Sequence, residues 1–556
     1  MLVAILMPQF PGDRPFGPLH QTRSAVMARH GAIATSQPLA TAAGLRVLQS
    51  GGNAIDAAVT AAAVLSVVEP TMNGIGGDLF AMVYDPKTKT VHGLNASGRA
   101  GTRATLAAFE QQGLKRIPVR GPLSITVPGV VDGWNELLTK YGTITLAQAL
   151  QPAIGYARDG FAVSPIIAGQ WKEVERVLAR DPETAATFLP DGKAPEPGDV
   201  FRNPRLAVSL EKIAAGGRDV FYKGEIARAI ADDMDRRGGL ITLQDLAAHH
   251  SDWIDPISTM YRGYNVFELP PNTQGVTALE ILNIMQGYDL KALGHNTAAY
   301  LHRFVEAKRI AFADRDAWIG DPSTTPAAAV QRMLSMDYAA QRRREIPEDH
   351  AADSYQPLSL GGATTPRDEP HPVGNGDTVY LTAADDNGNA VSLIESLFET
   401  FGSGLVAGNT GITLQDRGTL FSLTPGHPDQ IAPGKRPFHT LVPAMVTKDG
   451  SLWLTFGVMG GDMQAQAHAQ VLANLIDFGM NIQEAGEAPR FRHTANGLAL
   501  ESAIDQKARD GLTAMGYHII EMHDAFGGFQ GILIDPKTHV LMAGSDPRKD
   551  GMAAGW

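Results

Sequence analysis

Residues 376–398 read GDTVYLTAADDNGNAVSLIESLF. Val379–Ala384 and Ala390–Ser396 have the texture of strands, and Asn387-Gly388 between them is a dipeptide that turns a tight hairpin. Thr378 therefore stands at the head of the first strand. The stretch before it, Ala351–Asn375, is polar, rich in Gly and Pro and without periodicity, which predicts a mobile loop. A hydroxyl is thus placed where a loose segment gives way to a rigid one.

Working outward, Ala444–Thr447, Leu452–Val458, Gly531–Ile534 and Val540–Ala543 also read as strands, with a helix over Gln464–Phe478. Upstream, Pro38–Gln49 has helical period and Gly51-Gly52-Asn53 breaks it. Ala54–Val68 is a second helix of mostly small residues that must pack closely against a neighbour. Leu79–Tyr84 and Val91–Asn95 form a hairpin around Asp85–Thr90. From about Leu146 to Tyr355 the pattern is mainly amphipathic helix, as in Ala298–Phe312. Met1–His30 reads as a loose lead-in, with order beginning at Gly31. Strands and helices in mixed runs predict an α+β fold whose sheets are covered by helices.

Composition narrows the function. There are 59 Asp+Glu against 47 Lys+Arg, a net charge of −12, which disfavours a nucleic-acid partner. The absence of cysteine removes thiolate nucleophiles, disulfides and Cys-based metal sites. Met1–Met7 is apolar but has no Lys or Arg ahead of it and is cut short by Pro8, so it does not read as a signal peptide. Ala54–Pro70 is too short, and carries Asp56, for a membrane span. A cytoplasmic protein with no membrane association is expected; a start site placed wrongly would allow a periplasmic one.

Several motifs fail. Asn73-Gly74-Ile75-Gly76-Gly77 follows a helix and precedes a strand, the wrong order for a dinucleotide loop. Ser97 and Ser403 lie near glycines but in no complete G-x-S-x-G. His249-His250 lacks zinc-ligand spacing and reads as a surface or capping pair. Gly460-Gly461, between a strand and a helix, can be read as an ordinary turn or as a pair of N–H donors for an oxyanion, and residue types alone leave both readings open.

A wider set of landmarks resolves that choice. They include residues 51–58 (GGNAIDAA), 74–78 (GIGGD), Val127-Pro128-Gly129, Pro270-Pro271, Ala313-Asp314-Arg315, Gly376-Asp377-Thr378, residues 401–404 (FGSG), Lys435-Arg436-Pro437, Gly460-Gly461 and residues 545–548 (SDPR). In this order they resemble the γ-glutamyltransferase family of N-terminal-nucleophile hydrolases, from about Gly31 to Trp556. The resemblance implies a four-layer αββα sandwich. It implies one structural domain made of a large subunit, 31–377, and a small subunit, 378–556, cut from one precursor between Asp377 and Thr378. Association of that heterodimer with copies of itself is left open.

The chemistry implied is acyl transfer without metal or cofactor. Once the bond before it is cut, the Thr378 nitrogen becomes an α-amine with an ordinary pKa of ~7.7–8.0, suited to act as base for its own hydroxyl. Ser396 matches the position that orients the nucleophile, where the family usually has Thr. Gly460 and Gly461 match the oxyanion glycines, each donor contributing ~3 kcal/mol to the transition state.

The substrate positions depart from the family pattern. An Asn and an Asp that hold the α-amino group of a γ-glutamyl substrate are replaced by Phe398 and Leu420. Paired serines become His439 and Thr440. The family's carboxylate arginine aligns with Ser97, with Arg99 two positions away. Arg99, Arg417 and Arg436 are candidates for a substrate carboxylate, although Arg417 and Arg436 read equally well as structural ion pairs. Gln415–Leu423 also lacks the family's lid-like pattern. A γ-glutamyl amide such as glutathione is the default small-molecule substrate, with hydrolysis favoured over transpeptidation. A glutaryl- or oxamate-type amide is the rival, and a non-processing binding protein the reading from another class.

Overall fold

The computed structural model describes residues 21–361 and 377–556. Two seven-stranded antiparallel sheets lie face to face. The first runs in the order Val26–Ala28, Leu541–Ser545, Phe529–Ile534, Ser451–Val458, Ala444–Lys448, Tyr264–Glu268 and Ile257–Tyr261. The second runs Met552–Gly555, Gly31–Thr35, Asp377–Asp385, Ala390–Phe398, Asp78–Asp85, Thr90–Ala96 and Asp252–Ile254. Helices Pro38–Gln49, Ala54–Val68 and Val130–Tyr141 cover the outer face of the second sheet, and Gly275–Met285 and Met463–Ile476 that of the first. This is the four-layer αββα sandwich that the resemblance implied.

Strand alternation assigns each side chain to a layer. Val379, Leu381 and Ala383 point at the helices, whereas Tyr380 and Ala384 enter the apolar seam between the sheets with Ile394, Met445 and Ile532. The Ala54–Val68 helix explains its small residues: all 15 are buried, so the helix needs close approach more than amphipathicity. Its start is fixed by a capping box between Asn53 and Asp56. Gly77 is required by a second close approach, since a Cβ there would come within 2.5 Å of the Ser396 carbonyl oxygen.

Three expectations are corrected. Val26–Ala28 lies inside the stretch read as a loose lead-in yet pairs with Leu541–Ala543 as an edge strand; residues 1–20 lie outside the described residues. The expected loop over 351–375 is anchored in its described first part. There Ala351 N–H donates to the Met515 carbonyl, Leu358 N–H to Asp314, and Trp318 Nε1 to the Leu358 carbonyl. Its remainder, 362–375, lies outside the described residues. The region read as mainly helical also contains three strands between Asp252 and Glu268, two of them joined by a turn in which Arg262 and Gly263 both have positive φ.

Candidate active site

Thr378 enters the second sheet beside the Ser396 strand, where a bulge between Asp377 and Val379 shifts the register. Its hydroxyl is buried and donates to Ser396 Oγ at 3.3 Å. Ser396 Oγ also accepts from the Phe398 N–H at 2.8 Å. That bond belongs to a strained corner: Phe398 has φ +81, a left-handed conformation rarely adopted by bulky side chains. The corner turns the Phe398 ring under a guanidinium, with Arg417 Cζ 4.5 Å from the ring centroid.

Arg417 is fully buried and only partly satisfied. Nη1 donates to Thr440 Oγ1 at 3.0 Å, Nε lies 3.8 Å from Asp78 Oδ2, and among the described residues neither Nε nor Nη2 has a hydrogen-bond partner. Burial pulls its pKa down to about 10, with Asp78 and Asp416 opposing that shift, so it stays charged at neutral pH. Asp416 itself is pushed up to about 8 by burial and by the neighbouring Glu399. His439 is buried as well. Its Nδ1 accepts from the Leu441 N–H, which places the proton on Nε2, facing Asp78 Oδ2 at 3.2 Å. Burial and then Arg417 drive its pKa down to about 3, so the ring is neutral. Phe398 and Leu420 sit in one apolar cluster with Val276 and Phe438. An ammonium group placed there would lose its hydrogen-bond partners on leaving water.

Gly460-Gly461 closes the strand Ser451–Val458 and opens the helix Met463–Ile476. Their φ values, +120 and +58, suit glycine, and a Cβ on Gly460 would press on Gly527 at 3.1 Å. Their carbonyls accept from the N–H groups of Met463 and Gln464. Among the described residues neither glycine N–H is spent on a hydrogen bond, leaving two donors for a guest oxygen. Gln274 links this turn to Thr440 by donating to both the Gly461 and the Thr440 carbonyls. One chain of contacts therefore joins Thr378, Ser396, Phe398, Arg417, Thr440 and Gly461.

Two predicted arginines fall outside that chain. Arg436 bonds Asp252, and its Nε donates to the Ser97 carbonyl. Arg99 donates to Asp252 at 2.9 Å and to the His250 carbonyl. Both line a separate cleft of about 690 Å³ with Asn95, Pro270 and Val330. One shared Asp252 engages the two guanidiniums, the structural ion-pair arrangement that was the alternative reading for Arg436. His249, read as a surface or capping residue, is buried and stacked on Tyr222. Asp377 is described in its backbone only, opposite Phe398 in the ladder. Sequence reasoning passed over Asp78, though it stands in the quoted landmark, and passed over Gln274, whose neutral amide carries no signature.

The family model described as Gamma-glutamyltranspeptidase matches residues 40–556. The chain belongs to this family. Among its γ-glutamyltranspeptidase-family relatives, the glutathione hydrolase-like YwrD proenzyme of Bacillus subtilis is 40% identical over 530 residues, covering 93% of this chain and 97% of that protein. The oxamate amidohydrolase proenzyme of Klebsiella pneumoniae is 37% identical over 548 residues, covering 96% and 100%. The crystal structure of cephalosporin acylase from Bacillus halodurans superposes with a TM-score of 0.89 at 41% identity over 99% of each chain. As a member of the γ-glutamyltranspeptidase family with this fold, the protein is a hydrolase.

Proposed function

We propose that the protein is a self-processing threonine amidohydrolase acting on a small amide whose acyl part ends in a carboxylate. The observation that carries it is the Thr378–Ser396 hydroxyl contact at a strand head, one corner away from a buried, half-satisfied Arg417. Hydrolysis of the Asp377–Thr378 bond would leave a carboxylate on Asp377 and an α-amine on Thr378. That amine takes the hydroxyl proton as Oγ attacks the substrate carbonyl. The oxyanion is received by the Gly460 and Gly461 N–H groups. The C–N bond then breaks, the leaving amine takes the proton, and water, activated by the same amine, hydrolyses the ester.

In this reading Arg417 and Thr440 hold the substrate carboxylate, with His439 as a neutral wall fixed by Asp78. Phe398 and Leu420 favour an acyl group without an α-ammonium, hence a glutaryl- or oxamate-type amide. γ-Glutamyl compounds form the second reading, supported by the family match over residues 40–556. Purified, processed protein assayed with glutaryl and γ-glutamyl p-nitroanilides separates the two. Equal or better turnover of the glutaryl compound is expected, and a strong γ-glutamyl preference would reverse the assignment. Turnover of neither, together with an uncut chain, would remove the enzyme reading of this site.

A further inference from the structure

The turn carrying Gly460 and Gly461 is gripped by side chains from another part of the fold. Gln274, fully buried just before the helix Gly275–Met285, donates through Nε2 to the Thr440 carbonyl at 2.8 Å and the Gly461 carbonyl at 3.1 Å. Its own backbone N–H donates to the His439 carbonyl. Gln274 Oε1 in turn accepts from Arg315 Nη1 at 3.0 Å, and the same nitrogen donates to Asp462 Oδ1 at 2.8 Å. Arg315 is itself immobilised: Nε donates to Asp316, and the guanidinium lies over the Phe312 and Phe438 rings.

Glycine peptides with positive φ lack a Cβ to limit their rotation, so two consecutive glycines fix the aim of their N–H groups poorly. An oxyanion is stabilised only by donors already pointing at the place where its charge develops. Here the amide of Gln274 holds the Gly461 carbonyl from one side while Arg315 holds Asp462, the next residue, from the other. We propose that Gln274 and Arg315 are positioning residues that set the direction of the Gly460 and Gly461 N–H groups. This inference rests on the reading of that turn as the oxyanion site. The clamp also spans the proposed cut, since Gln274 and Arg315 precede Asp377 whereas Thr440, Gly461 and Asp462 follow it.

Gln274→Glu is the informative variant. It keeps the size of the side chain and an oxygen for Arg315, but has no N–H to give to the two carbonyls. With kcat normalised to the amount of fragment beginning at Thr378, the variant should lose roughly 10- to 100-fold in kcat on its best anilide, with KM within about threefold. Asp462→Asn, which weakens the ionic half of the grip at a partly exposed site, should give a smaller loss of the same kind and serves if Gln274→Glu does not fold. A wild-type kcat in a correctly folded variant, or a rise in KM with kcat unchanged, would overturn the inference. Thr378→Ala in parallel separates the two levels. If it retains turnover, the threonine reading is at fault; if it is inactive while the clamp variants work normally, only the clamp is.

Discussion

Replacing Arg417 with Met tests the carboxylate seat most directly. The methionine matches the length of the arginine stem and can rest its thioether on the Phe398 ring, 4.5 Å from the present guanidinium. Asp78 keeps the Gly98 N–H at 2.7 Å and His439 Nε2 at 3.2 Å, so the removal does not strand a bare carboxylate. Among the described residues Nε and Nη2 are donors without a partner, enough for two charge-assisted bonds to a substrate carboxylate. At about 1.5–3 kcal/mol each, their loss would cost about 3–6 kcal/mol. The lower end applies, because Asp78 Oδ2 at 3.8 Å already shares the charge. A loss of about 3 kcal/mol corresponds to a roughly 150-fold fall in kcat/KM. The assay compares glutaryl p-nitroanilide with butyryl p-nitroanilide, which lacks the terminal carboxylate. The glutaryl substrate should lose the full factor and the butyryl substrate less than about threefold. Equal losses on both would show that the guanidinium serves the fold, and undiminished glutaryl turnover would show that it serves neither.

Thr378→Ala should remain a single full-length chain on a denaturing gel and hydrolyse nothing, whereas the unaltered protein should give fragments 1–377 and 378–556. Phe398→Asn places a residue tolerant of positive φ at φ +81 and adds a polar partner, so the ratio of γ-glutamyl to glutaryl turnover should rise by about 10-fold or more. Arg436→Ala should lower thermal stability through the loss of its bond to Asp252, with KM for the glutaryl anilide changed less than about twofold. Burial raises the pKa of Glu395 to about 8, opposed by hydrogen bonds from Trp134 and Asn73. The folded chain therefore holds a proton there that the unfolded chain releases near pH 4.5. This contribution is fully present below pH 4.5 and lost as pH rises through 8; Glu395→Gln should flatten that part of the Tm-against-pH curve, worth about 1 kcal/mol or more.

The sequence announces its central elements where chemistry is local. The hairpin around Asn387-Gly388, the helices Pro38–Gln49 and Ala54–Val68 and the Gly460-Gly461 turn all follow from period, turn residues and breakers, and all stand where expected. Elements held by distant partners were not legible. Val26–Ala28 is three residues long, too short for alternation to register, and exists because Leu541–Ala543 pairs with it. The strands between Asp252 and Glu268 are half-buried and lie at or next to a sheet edge, and their polar residues resemble helix faces. In the site, Thr378, Ser396 and Arg417 came forward through the family resemblance, because a hydroxyl at a strand head or a buried arginine has an ordinary structural reading on residue type alone. The partner of Arg99 and Arg436 was not legible, because position in a sequence does not say which carboxylate a guanidinium will find, and here both found Asp252.

The placement of Thr378 within the second sheet reaches beyond catalysis. Its strand lies between Gly31–Thr35 and Ala390–Phe398, and the chain's last strand, Met552–Gly555, pairs with Gly31–Thr35 from the other side. Both sheets therefore interleave strands from either side of Asp377. A cut before Thr378 would break no rung of the ladder but would change what lies on the far side of unfolding, from one molecule to two. Recovery from denaturation then becomes an encounter between separate chains, faster at high concentration and defeated by dilution. The uncut precursor carries no such dependence. The processed enzyme would thus hold its shape largely by never coming apart, a persistence governed by escape rate rather than by equilibrium.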